Sequence, residues 1–253
     1  MTTKFVRTRK NLKMKAGMNH KIEETQIKYG NAASKLFKAA NVCFGLEIPS
    51  EYRRIWIESF RVLYWVDHTI DGIGEFERNV FAQGLSSYLS DEGANQFYPE
   101  IAVLFKKSLY RLDEPIRRAY INYLLVLYEA SEKVRHAQCI DDLISSTRLE
   151  GEMTAGMLLK LLPVGLVKNV RYLDYGNWLR NVGKVANLID TLLDLKDDYE
   201  QGLVTVSPSM FNRGKIFIAA LSDLTLVFCG LKVSFILKDV VYEAIRYVVN
   251  GGR

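Results

Sequence analysis

The chain has 253 residues, of which 49% are hydrophobic, 25% charged and 11% aromatic, with only five prolines and three cysteines. That balance can bury one large core, and it excludes a disordered chain, a collagen-like repeat and a small disulfide scaffold. The formal net charge is +5, but seven of the 34 Lys and Arg residues fall within residues 1–21, where no acid precedes Glu23, so the remainder is close to neutral.

With so few prolines and 17 glycines there are too few turn residues for an all-β chain, and an all-α, single-domain helical bundle is the expected fold. Cys43, Cys139 and Cys229 are far apart and show no Cys-x-x-Cys spacing. A disulfide framework or zinc site is therefore not expected, and a reducing compartment is. Residues 1–18 read as a basic flexible N-terminal arm, and residues 19–253 as one helical domain. The arm lacks the apolar run of a secretory signal; a solvated tail, a tether to anionic lipid and an organellar targeting sequence are its three readings. The expected location is cytoplasmic, with peripheral membrane contact left open. No nucleic-acid partner is expected, because the body shows no basic stripe interleaved with aromatics.

In chain order, a helix over about 20–45 ends near Gly45 and Pro49, and Ser50 caps a second helix that runs to about Asp71. Gly72 and Gly74 interrupt the chain, and Ser90, Asp91 and Gly93 mark a loop. Asp113 and Pro115 open a helix reaching about Ser145, and residues 147–162 continue helically to Pro163. A further helix spans about Tyr172 to Glu200 and is closed by Gly202, and two more fill 209–249. The apolar run at 216–231 contains Asp223 and is too short to span a bilayer, so it reads as a buried core helix.

Two acidic rows interrupt otherwise apolar helices. Asp67 and Asp71 follow VLYWV at 62–66, and Asp190, Asp194 and Asp198 follow Asn187, Leu188 and Ile189. Residues four apart share a helix face, about 6 Å apart along the axis. Like charges at that spacing repel, and Asp is a poor helix former, so each row is locally unfavourable. A wet helix face would account for either row alone. A divalent cation reverses the sign of the repulsion: Mg²⁺ takes carboxylate and phosphate oxygens and uses only one or two protein carboxylates per ion. Two such helices facing each other across a cavity would hold a small Mg²⁺ cluster and clamp a diphosphate.

The stretch from Pro49 to Asp71 resembles the first signature of the squalene and phytoene synthase family, within the all-α class I isoprenoid synthases, with Pro49, Arg53, Asp67 and Asp71 on its positions. Asp190, Asp194, Asp197, Asp198 and Gly202 resemble the second signature, and Ala155-Gly156 the Ala-Gly of the family's central helix. The second row is also similar to the acidic motif of large-substrate bacterial terpene cyclases. The resemblance implies a bundle with a central cavity, a cluster of up to three Mg²⁺ ions and a prenyl diphosphate substrate. Tyr64, Glu150 and Leu203 stand where the family has Arg, Tyr and Arg, which shifts the expectation from coupling two prenyl chains to ionising one.

The leading expectation is a Mg²⁺-dependent terpene synthase acting on a C15–C20 allylic diphosphate. Asp67, Asp71, Asp190, Asp194 and Asp198 would be its metal-binding and catalytic residues. Phe60 and Tyr64, seven and three residues before Asp67, would face the carbocation, and Met153 would line the pocket. Arg148 and Lys184 would clamp the diphosphate. Head-to-head coupling and a non-catalytic member of the fold are the rival readings, and homodimer formation stays open.

Overall fold

The computed structural model describes residues 30–71, 75–85, 113–167 and 170–229. The basic N-terminal arm and the readings that fall at 72–74, 86–112 and 230–253 lie outside the described residues. The described residues are helical throughout, with no strand: α1 (30–44), α2 (Ser50–Asp71), α3 (Glu75–Leu85), α4 (Glu114–Arg135), α5 (Ile140–Lys160), the single turn α6 (Val164–Val167), α7 (Val170–Glu200) and α8 (Met210–Cys229). Among them no helix is long and apolar enough to cross a membrane.

Several helix ends follow the sequence signals. Gly45 adopts φ +61° at the end of α1, and Gly202 φ +73° just beyond α7. At Gly202 the amide donates to the Tyr199 carbonyl (3.1 Å) and the Leu203 amide to the Asp198 carbonyl (2.8 Å), the paired closure of a Schellman motif. Pro115 sits in the first turn of α4, where the missing N–H costs no hydrogen bond.

One boundary differs from the sequence expectation. The helix that begins at Glu114 does not run on to Ser145; it stops at Arg135, and α5 starts afresh at Ile140. No Gly or Pro marks this break. Lys133 and Arg135 lie in the last turn of α4, and Asp141 and Asp142 in the first turn of α5. Cations at a helix C-terminus and acids at an N-terminus each favour ending and restarting the backbone dipole there. The Gln138 side-chain amide donates to the His136 carbonyl at 3.0 Å and secures the turn.

The helix pairing that organises the molecule is α5 against α7, flanked by α4 on one side and α8 on the other. The two run antiparallel: Thr147 meets Thr191, Glu150 meets Asn187, and the Tyr172 hydroxyl donates to the Leu159 carbonyl. Their backbones touch at Gly151 and Gly183, where a side chain on either would collide with the other's carbonyl. One apolar core lies toward the start of α7 and joins Tyr175, Trp178 and Leu179 to Trp56, Phe44 and Leu124. The other, toward its end, joins Leu188 and Leu195 to Ile140, Leu143 and Ile216. Phe44 packs edge-on against Tyr175 at 5.4 Å, and Phe37 against Trp56 at 4.9 Å. Tyr120 of α4 is fully buried, and its hydroxyl donates to the Ser59 carbonyl at 3.2 Å, tying α4 to α2.

α8 is not the wholly buried helix that its apolar run suggested. Ile216, Ala220, Asp223 and Val227 are buried, while Met210, Phe211, Phe217, Ile218 and Leu221 are exposed. Its sequence is apolar on two faces, and the fold covers one of them.

Candidate functional site: an acid-walled cavity

A cavity of about 370 Å³ opens between α2, α4, α5 and α7. Its acidic wall comes from α7, where Asn187, Asp190, Asp194 and Asp198 follow one another at nearly one-turn intervals and all border the cavity. The local sequence explains this placement. Leu188 and Leu195 are drawn into the core beneath α7, and that rotation turns the residues on the other side, Asp190, Asp194 and Asp198, toward the opening. Asp190 and Asp194 are exposed and Asp198 is half-buried.

The described lining from α2 and α4 is largely apolar and aromatic. α2 contributes Phe60, Leu63, Tyr64 and Ile70, and α4 adds Leu124 and Leu127. The backbone of α2 carries Asp67 and Asp71 on the same helix, but their side chains lie outside the described residues. Leu203 and Val204 border the cavity as well, brought there by the reversal at Gly202.

The candidate residues separate into groups. Phe60, Tyr64, Asp190, Asp194 and Asp198 are all walls of this one cavity, though α2 and α7 are more than a hundred residues apart. Arg148 is turned away from it. Its guanidinium holds the buried Asp223 carboxylate with two bonds, Nε to Oδ2 at 2.7 Å and Nη2 to Oδ1 at 3.0 Å. The Lys184 ammonium pairs with Glu152 at 3.0 Å. Met153 packs against the apolar core. None of these three borders the cavity.

Two residues that the sequence did not single out for the site do border it. Arg135, at the end of α4, supplies a cation at the cavity wall while its Nε lies 3.4 Å from Glu132. Its one sequence signal was its place as a last-turn cation just before a helix break. Glu150 faces the acidic row from α5 and accepts a hydrogen bond from the Asn187 side-chain amide at 3.3 Å. In sequence it stood out only as a departure from the family pattern.

The donor set suits a hard divalent cation. The α7 row offers carboxylate oxygens, and among the described residues no thiol or imidazole lines the cavity. Among the described residues no three His, Cys, Asp or Glu side chains converge on a single metal position. Residues four apart in a helix are separated by about 6 Å along its axis. Such a row gives each ion one or two ligands and leaves the remaining positions to water and phosphate oxygens, the arrangement Mg²⁺ prefers. Asp190, Asp194 and Asp198 could each lend such an ion a single carboxylate ligand.

The described residues thus define an all-helical protein with a cavity lined by the Asp190, Asp194 and Asp198 row and by apolar and aromatic side chains of α2 and α4. No protein-family model, no curated protein and no solved structure matches this chain.

Proposed function

We propose that the chain is a Mg²⁺-dependent class I terpene synthase with the isoprenoid-synthase type of helical bundle, ionising one allylic prenyl diphosphate of the C15–C20 class. The single observation that carries this reading is that the row Asp190, Asp194 and Asp198 lines the same cavity as Phe60, Leu63, Tyr64, Ile70 and Leu124. A substrate with a strongly anionic head and a long hydrocarbon tail matches both parts of that lining. The volume of about 370 Å³ lies near the lower end for small-molecule sites, which favours one prenyl chain over two.

Asp190, Asp194 and Asp198 would hold the metal from α7, with Asp67 and Asp71 as the partner row from α2. Mg²⁺, when bound, supplies positive charge that stabilises the departing diphosphate. The protein's own part is then to orient and to exclude water. Arg135 meets the diphosphate end with a fixed cation, taking the place that sequence gave to Arg148 and Lys184. Phe60 and Tyr64 line the cavity and would offer aromatic rings to an allylic cation held there, a contact worth about 0.5–2 kcal/mol. Leu63, Ile70 and Leu124 keep that end dry, so the cation cyclises or loses a proton before water captures it. No side-chain nucleophile is required.

The test is incubation of the purified chain with Mg²⁺ and C10, C15 and C20 prenyl diphosphates, following pyrophosphate release and analysing extracted hydrocarbons by mass spectrometry. A product with the substrate's carbon count, absent without Mg²⁺ and in Asp194→Asn, is the expected result. A doubled carbon count would replace this reading with head-to-head coupling. No pyrophosphate from any of the substrates would favour a non-catalytic role for the fold.

A further inference from the structure

α8 carries a second surface that the proposed chemistry does not use. At about 100° per residue, Ile216, Ala220, Asp223 and Val227 centre on its inner face. Ile218 and Phe211 lie directly opposite, and Leu221, Met210 and Phe217 follow in turn toward the flank on the Arg213 side. These five side chains are 45–86% exposed and fall within about a third of the helix circumference, away from the buried Ile216, Ala220, Asp223 and Val227. Scattered exposed apolar residues are ordinary, but a contiguous strip of this kind marks a surface that meets another apolar phase.

The charges on α8 are arranged around the strip. Arg213 lies along one edge and Lys215 along the other, and both follow from the helical spacing. The helix has one acid, Asp223, which is buried and held by Arg148. Lys215 reaches Asp141 of α5 at 3.0 Å, and its ammonium also lies 5.3 Å from the centre of the Phe211 ring. The chain as a whole carries net charge +5, with seven cations and no acid in residues 1–21.

We propose that the outer face of α8 docks on the surface of an anionic lipid bilayer, the helix lying in the plane of the interface. The Phe211 and Phe217 rings and the Ile218 and Leu221 side chains enter the boundary between headgroups and acyl chains. Arg213 extends from one edge toward lipid phosphates while Lys215 stays paired with Asp141 at the other, their methylene stems covering the rim of the strip. The net positive charge supplies the longer-range attraction to an anionic leaflet. No described helix is long and apolar enough to cross a membrane, so the contact is one of surface and not of span. A second copy of the chain is a poorer match. It would bring the same two cations to the contact, with no solvent-facing acid on α8 to meet them. This inference is independent of the proposed chemistry.

The experiment is flotation of the full chain with phosphatidylcholine vesicles made with and without phosphatidylserine. It compares the wild type with the combined variant Phe217→Ser, Ile218→Ser and Leu221→Ser. The expected result is binding that requires phosphatidylserine, weakens with salt and falls by about tenfold or more in the variant. In parallel, Phe217→Trp should shift its fluorescence to shorter wavelength on adding the anionic vesicles. If the triple variant floats like the wild type, the basic N-terminal run alone carries lipid binding and the proposal fails. It fails equally if Phe217→Trp binds without a spectral shift. Absence of vesicle binding, with light scattering showing a dimer that the triple variant abolishes, would assign the strip to a second copy instead.

Discussion

The Gly183 carbonyl occupies the space a Cβ on Gly151 would need, and the Gly151 carbonyl does the same to Gly183. α5 and α7 can approach this closely only because neither residue has a side chain. Glu150, directly before Gly151, and Asn187, one turn after Gly183, share a hydrogen bond at the cavity wall. The glycine pair therefore sets the distance between the acidic row and the helix facing it. Gly183→Ala should destabilise the fold by about 1–3 kcal/mol through overpacking, despite the roughly 0.5–1 kcal/mol that Ala adds to a helix. Gly214→Ala, where an added Cβ meets nothing within 4 Å, should instead stabilise by about 0.5–1 kcal/mol. Urea denaturation of both variants measures the contrast, and equal behaviour would show that the close approach does not exist.

The Arg148–Asp223 pair fastens α8 to α5 through a carboxylate that is only 5% exposed. Removing the cation leaves that carboxylate buried and uncompensated. Arg148→Met should cost about 3 kcal/mol, toward the lower end for a broken buried pair because the arginine itself is a third exposed. Adding Asp223→Leu to it should restore most of the loss, since the stranded charge is then gone. A double-mutant cycle by chemical denaturation checks both steps.

For the site, Arg135 and Lys184 separate two placements of the diphosphate. Arg135→Gln should raise KM for the prenyl diphosphate by about 10- to 100-fold, the scale of one lost charge-assisted hydrogen bond. Lys184→Gln, whose ammonium is engaged by Glu152 away from the cavity, should change it by less than about threefold. Steady-state kinetics with pyrophosphate detection reads both. The reverse order would return Lys184 to the substrate's headgroup.

Alkaline stability should reflect two phenols. Burial pushes the Tyr120 and Tyr175 hydroxyls well above their ordinary value of 10.0, with the neighbouring Tyr172 adding to the effect at Tyr175. A raised pKa means that the folded state holds the proton more tightly than the unfolded chain does. Their contribution to stability is thus complete below about pH 10 and is lost as pH rises past it. Melting temperature should fall steeply above about pH 10, and Tyr120→Phe should make that fall shallower. Tyrosinate absorbance appearing well before unfolding would contradict the burial argument.

Much of the local structure was legible in the chain. Gly45 and Gly202 announced helix ends because each adopts the left-handed backbone that glycine tolerates best. The α7 acidic row was legible because its spacing equals the helix repeat, and Leu188 and Leu195 fixed which face turned inward. The break at 136–139 was harder to see, since it rests on opposed charges at two helix ends and not on a breaking residue. Arg148 and Lys184 lie away from the cavity lining for a different reason. A long cation near an acidic motif reaches whichever carboxylate the packing brings beside it, and Asp223 lies 75 residues from Arg148 in sequence.

The chain by itself determined that the described segments are helical and where several of them end. It also determined that Asp190, Asp194 and Asp198 share one face. These follow from backbone geometry and nearest-neighbour periodicity, which act over a few residues. Only the tertiary structure decided that Phe60 and Tyr64 line the same cavity as that row, that Arg135 and Glu150 join it, and that α8 buries one apolar face and exposes the other. Those outcomes depend on which helices pack together. Here that is governed by two glycines allowing α5 and α7 to touch, and by one buried ion pair holding α8 in place.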